Sequence, residues 1–119
     1  MRDGPDIARI GALLGEPART HMLSALMSGQ ALTAGELARE ACVTPQTASS
    51  HLAKLTDGGL IVARRQGRCV YFALAGEGVA ELMEQLAGLA AAAGHRRTRP
   101  GPRDPAWHRG NGPSHARWR

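Results

Sequence analysis

The chain has 119 residues, a formal net charge of +5 and four aromatic residues, Tyr71, Phe72, Trp107 and Trp118. That length suits one domain, and so few rings exclude an aromatic core: the interior has to come from Leu, Ile, Val, Met and Ala, which suits helices packed on helices. No signal-peptide pattern opens the chain and no apolar run is long enough to span a bilayer. The expected setting is the cytoplasm, away from membranes, with the two cysteines, Cys42 and Cys69, as free thiols.

The charge is unevenly placed. Residues 1–94 set eight Arg and Lys against nine Asp and Glu, whereas residues 95–119 set seven Arg against one Asp. The body is nearly neutral, so charge for a polyanion has to be concentrated locally. Residues 44–74 do this, holding Lys54, Arg64, Arg65 and Arg68 against Asp57 alone. A domain this small is marginal by itself, and a dimer interface would help it.

Ile7, Ile10, Leu13 and Leu14 recur at helical spacing and predict a helix over 6–14, ended by Gly15. Pro17 opens a second helix, 17–28, at a position where its missing N–H costs nothing. Met22, Leu23, Leu26 and Met27 form its apolar face, and Gly29 stops it. Thr33-Ala34-Gly35-Glu36 is a capping-box pattern that starts a third helix over 33–41. Thr44-Pro45 starts a fourth, 45–57, whose buried face is set by Ala48, Leu52 and Leu55 and whose end is Gly58-Gly59. Strands over 60–65 and 68–74 flank a Gln66-Gly67 turn. A last helix over 77–93 carries the stripe Val79, Leu82, Met83, Leu86, Leu89, Ala90 and Ala93.

The expected fold is therefore mainly α, an α+β winged helix, with residues 1–94 as one domain. The tail, 95–119, contains no Val, Ile, Leu, Met or Phe and is expected to be disordered. Its Arg, Pro, Gly and Ala all have GC-rich codons, as a shifted reading frame or a truncation removing a sensing segment would leave. Its arginines would add salt-sensitive affinity for any DNA.

The third and fourth helices are joined by only Cys42-Val43-Thr44, which makes a helix-turn-helix with a hairpin wing behind it. With Ala48, Leu52 and Leu55 inward, 100° per residue puts Gln46, Ser50, Ala53 and Asp57 on the far side and Thr47, Ser49, His51 and Lys54 on the flanks. Short donors and acceptors suit a major groove, where Gln pairs with adenine and Ser or Thr with any base. Lys54 and His51 are placed for phosphates. Arg64, Arg65 and Arg68 at a hairpin tip can reach phosphates or the minor groove. Such a helix face alone is equally that of any solvated helix, and a charged hairpin that of a protected edge; their succession is what points to DNA.

The stretch TAGELAREACVTPQTASSHLAKLTDGGLIVARRQGRCVYFAL resembles the ArsR/SmtB family of winged-helix regulators. The family's signature is matched by Ser49-Ser50-His51-Leu52 with Leu55, by Gly59-Leu60-Ile61, and by Gln66-Gly67-Arg68 followed by Tyr71. Upstream, ALLGEPARTHMLSALMSG resembles the family's second helix, so the likeness covers roughly residues 6–93. The resemblance implies a homodimer, through the first and last helices, that represses at a near-palindromic operator until an inducer releases it. The DNA-facing set is then Thr33, Thr44, Gln46, Thr47, Ser49, Ser50, His51, Lys54, Arg64, Arg65, Gln66, Arg68 and Tyr71. The dimer set is Ile7, Ile10 and Leu14 with Leu82, Met83, Leu86 and Leu89.

Metal-sensing members carry Cys-x-Cys in the third helix, or Asp-x-His with downstream His and Glu in the last helix. Neither pattern is present, so no metal and no cofactor is expected and the inducer stays open. The five histidines are scattered at 21, 51, 95, 108 and 115. Cys42 and Cys69 are a candidate redox pair only if they meet; otherwise each is a small apolar filler. No nucleophile–base set, paired carboxylates or phosphate loop suggests an enzyme. The rival reading, a winged-helix module for protein or RNA, would expose apolar residues where this helix exposes Gln46, Ser50 and Lys54.

Overall fold

A computed structural model describes residues 4–95 of the chain. All of the tail beyond His95 lies outside the described residues. Helix α1 (Ile7–Leu14) is capped by the Asp6 carboxylate, which accepts the Arg9 N–H at 3.1 Å. Helix α2 (Pro17–Ala25) starts at Pro17, with the Glu16 carboxylate accepting the Ala18 N–H at 3.0 Å. It ends three residues before the expected Ser28. The Leu26 N–H is shared between the carbonyls of Met22 and Leu23, and Met27 N–H bonds Ser24, so the last turn tightens and unwinds toward Gly29.

A strand that the sequence did not announce follows, β1 (Leu32–Thr33). Two residues are too few to show alternation, and their partners lie far along the chain. Thr33 then caps α3 (Ala34–Ala41) in the full reciprocal box: its hydroxyl accepts the Glu36 N–H at 3.2 Å and its N–H donates to Glu36 at 3.0 Å. Helix α4 (Pro45–Asp57) starts at the expected Thr44 cap.

The turn between α3 and α4 is a Schellman-type closure. Cys42 N–H bonds the Arg39 carbonyl at 3.2 Å and Val43 N–H the Ala38 carbonyl at 3.0 Å. Cys42 itself is left-handed, at φ 56°, and among the described residues no other non-glycine has positive φ. The same closure ends α4, with Leu60 N–H on the Leu55 carbonyl and Gly59 N–H on that of Thr56, both 3.0 Å, but here glycine holds the left-handed place, φ 82°.

Strands β2 (Ile61–Gln66) and β3 (Cys69–Leu74) pair antiparallel, and β1 joins the other edge of β3, giving the order β1-β3-β2. The hairpin turn is Gly67-Arg68, one residue later than the expected Gln66-Gly67, because Gln66 pairs with Cys69. The reason is local: Gly67 has φ 64° and Arg68 does not, as a type II′ turn requires glycine first. Helix α5 (Glu77–Ala92) closes the described chain.

The core is aliphatic throughout. Met22 and Leu23 of α2 and Leu26 at its C-cap meet Leu37 of α3, Leu52 and Leu55 of α4, Leu32 of β1 and Ile61 of β2, all fully or almost fully buried. Each such leucine contributes about 2 kcal/mol.

The two left-handed positions make opposite predictions. Cys42→Gly is expected to raise stability by about 1 kcal/mol by removing a Cβ from a left-handed site. Gly59→Ala is expected to lower it by about the same. The denaturant midpoint at unchanged m-value measures both.

Candidate nucleic-acid interface

The face that α4 presents is decided by what it hides. Ala48, Leu52 and Leu55 are buried, and Gln46, Ser49, Ser50, Ala53 and Lys54 are exposed. At the start of the helix Thr44 and Thr47 are partly committed to each other. The Thr44 hydroxyl accepts the Thr47 N–H at 3.1 Å and donates to the Thr47 hydroxyl at 3.0 Å. Both side chains remain exposed.

His51, expected to meet phosphates, is engaged by another side chain within the protein. It is half-buried, and its Nδ1 lies 2.9 Å from the Arg19 guanidinium. A guanidinium can only donate, so Nδ1 is the acceptor and the proton of the neutral ring sits on Nε2. Burial, and next the Arg19 charge, push the His51 pKa down from its ordinary value; Glu16 pulls it the other way and Lys54 adds to the lowering.

In the sheet, residues opposite one another share a face. Thr33 pairs with Tyr71 and Tyr71 with Arg64, so these three form one row across all three strands. Leu32, Phe72 and Ala63 form the neighbouring row on the other face, and Leu32 anchors that face to the core. Arg64 and Gln66 therefore project to the face away from the core and Arg65 to the opposite one, while Arg68 sits in the turn; all four are exposed. Ser49, Ala53 and Thr56 of α4 face Phe72 of β3 and Ala34 of α3 across a shallow groove of about 350 Å³, so helix and wing stand as its two walls.

Both thiols are free. Cys42 is half-buried in the turn, where burial and then the Glu40 charge push its pKa up, keeping it a protonated, sluggish thiol. Cys69 is exposed on the same sheet face as Tyr71, and the Cys69 charge, then its hydrogen bond, push the Tyr71 phenol up, so the hydroxyl stays neutral. Among the described residues no three His, Cys, Asp or Glu are grouped to hold a metal ion, and no helix is long and apolar enough to cross a membrane.

The dimer set separates into two kinds. Ile7 is 79% exposed, Leu89 67% and Leu86 39%, large apolar surface without cover in the protomer. Ile10, Leu14 and Leu82 are half-buried, and Met83 is 7% exposed inside the protomer's own core, so it is core rather than a surface contact.

Sequence reasoning missed Arg19. Its Nε donates to the Leu13 carbonyl at 2.8 Å, one terminal nitrogen to Ala12 at 3.2 Å and the other to His51. No periodicity flags it; the only signal was a cation in the first turn of α2, opposite helix-end carbonyls that a sequence does not locate.

A helix-turn-helix with a polar second helix, backed by an arginine-bearing hairpin, defines a winged-helix DNA-binding module. A helix-turn-helix domain model matches residues 14–64. The chain is 45% identical over 86 residues to the uncharacterised HTH-type transcriptional regulator YdfF of Bacillus subtilis, covering 72% of this chain but 38% of YdfF. It is 38% identical over 80 residues to the HTH-type transcriptional regulator CmtR of Mycobacterium tuberculosis, covering 67% of each. Among solved structures, it resembles the homodimeric winged helix-turn-helix DNA-binding domain of a possible ArsR-family regulator from Mycobacterium bovis, with TM-score 0.67 and 30% identity over 78% of this chain and 87% of that one. The cadmium metal-sensor CmtR matches with TM-score 0.60 and 32% identity over 80% and 94%. The chain belongs to the ArsR/SmtB family of winged-helix transcriptional regulators.

If the exposed arginines meet phosphates, Arg68→Ala weakens binding to every DNA sequence and lowers the salt slope by about one unit per lost contact. Gln46→Ala is instead expected to lose about 1–3 kcal/mol at a single base position in each half-site. Binding titrations on specific and scrambled duplexes at several salt concentrations separate the two.

Proposed function

We propose that the protein is a sequence-specific DNA-binding repressor, acting in the cytoplasm as a homodimer on a near-palindromic operator and released by an inducer. One observation carries the reading: α4 hides Ala48, Leu52 and Leu55 and turns Gln46, Ser49, Ser50 and Lys54 outward beside a wing bearing Arg64, Arg65 and Arg68. The DNA-facing set is then Gln46, Ser49, Ser50 and the exposed hydroxyls of Thr44 and Thr47 for bases, with Lys54, Arg64, Arg65, Gln66 and Arg68 for phosphates. Thr33 and Tyr71, in the row that Arg64 completes, support the wing's outer face.

The dimer reading is supported by the uncovered Ile7 on α1 and Leu86 and Leu89 on α5, and by the homodimeric M. bovis domain that the fold resembles. Isologous pairing of such a patch places two recognition helices by a twofold axis, which a palindrome mirrors. The cadmium-sensing relative makes metals one inducer class to try, although the described residues offer no ready ligand group.

Selection of bound fragments from random double-stranded DNA, with and without reductant and divalent metals, tests this reading. Enrichment of an inverted repeat is expected; enrichment of no sequence defeats it. Leu89→Glu is a clean companion, because a side chain this exposed in the protomer tolerates a charge there while a dimer core does not. Sedimentation is expected to show folded monomer; an unchanged dimer removes α5 from the interface.

A further inference from the structure

Helix α1 is fastened to α4 at three places. Arg19, from α2, donates to the Ala12 and Leu13 carbonyls of α1 and to His51 of α4 with the same guanidinium. Leu13 lies so close over Gly58, at the α4 C-terminus, that a Cβ on Gly58 would collide with its Cδ1. Arg9 reaches the Asp57 carbonyl at 3.4 Å. The helix carrying Ile7, the most exposed large apolar side chain among the described residues, is thereby held in fixed relation to the helix that presents Gln46.

Of these ties only the Arg19 fork depends on a proton. It requires a neutral His51, because an imidazolium has no lone pair to accept with and sets a second cation against Arg19. The charged groups bearing on the ring are Arg19 and Glu16 at the start of α2 and Lys54 on α4 itself; α1 contributes only backbone carbonyls to the fork.

We propose that Arg19 and neutral His51 form a proton-sensitive latch, Arg19 being a positioning residue, that sets α1 against the recognition helix, so that acidification lowers operator affinity. The affinity clause rests on the operator-binding reading above. The sign follows from linkage. A histidine held below its ordinary pKa by its folded surroundings stabilises the latched state above the ordinary histidine range, and that stabilisation is lost as pH falls through the folded value. Nonspecific binding has the opposite sign, since every protonated histidine adds positive charge near phosphates.

The test uses the full chain and the duplex that it selects, with affinity followed from neutral pH to about pH 5 at constant ionic strength. For the unsubstituted protein, operator affinity is expected to fall, by at most about tenfold per pH unit per protomer, while His51 titrates, and affinity for a scrambled duplex is not. In His51→Gln the amide oxygen accepts from Arg19 at any pH, so the acid-driven fall disappears; the slope, not the level, is the readout. Arg19→Lys, which cannot fork to three acceptors, is expected to flatten the slope too and to move the His51 ring midpoint. A ring titration by NMR judges the latch without DNA: the amides of Gly11–Gly15 are expected to shift with the His51 midpoint. Identical pH profiles for the unsubstituted protein and His51→Gln, operator affinity that rises on acidification as a phosphate-bound His51 would give, or α1 amides indifferent to His51 would each overturn the latch. Failure to enrich any duplex sinks the operator reading alone, and the resonance titration still decides the latch.

Discussion

Burial of three side chains on α4 governs most of what this molecule can do. Ala48, Leu52 and Leu55 pack into an aliphatic core with Leu23, Leu26 and Leu37, and each leucine contributes about 2 kcal/mol there. Turning the helix by one residue would exchange those gains for Thr47, His51 and Lys54, or for Ser49, Ala53 and Thr56, inside, each unsatisfied polar group costing about 1–3 kcal/mol. The polar face is therefore held outward by the same energy that folds the domain, and no separate device is needed to present it.

Around that helix the chain uses backbone closures to set directions. The capping box at Thr33 ties the end of β1 to the start of α3, so one residue serves a sheet and a helix together. The left-handed Cys42 reverses the chain between α3 and α4 within the few residues a helix-turn-helix permits. Gly59 turns α4 into β2, and Gly67 folds the wing back on itself. A side chain at the Cys42 position is strained where glycine would not be, so the thiol there has a conformational cost as well as a slow chemistry.

Helix α1 is less deeply held than the others. Of its side chains only Leu13 is buried, Ile10 and Leu14 pack at the edge of the core, and its polar ties run through Arg9 and the Ala12 and Leu13 carbonyls. An element with little core of its own and an uncovered apolar side chain is suited to complete its packing elsewhere, while Arg19 ties it back to α4. Cover for α1 and placement of α4 become one mechanical problem, which gives the Arg19–His51 contact its interest.

Helix spacing, caps and stops made the five helices, the wing and the outward face of α4 readable before any coordinates, because those depend on neighbours three or four residues apart and on local hydrogen bonds. Glycine and proline marked nearly every boundary correctly for the same local reason. Long-range choices were not readable. The pairing of Leu32–Thr33 with β3, the retreat of Met83 into the core, the seat of Leu13 over Gly58 and the reach of Arg19 to His51 all join residues whose proximity exists only once the chain has folded.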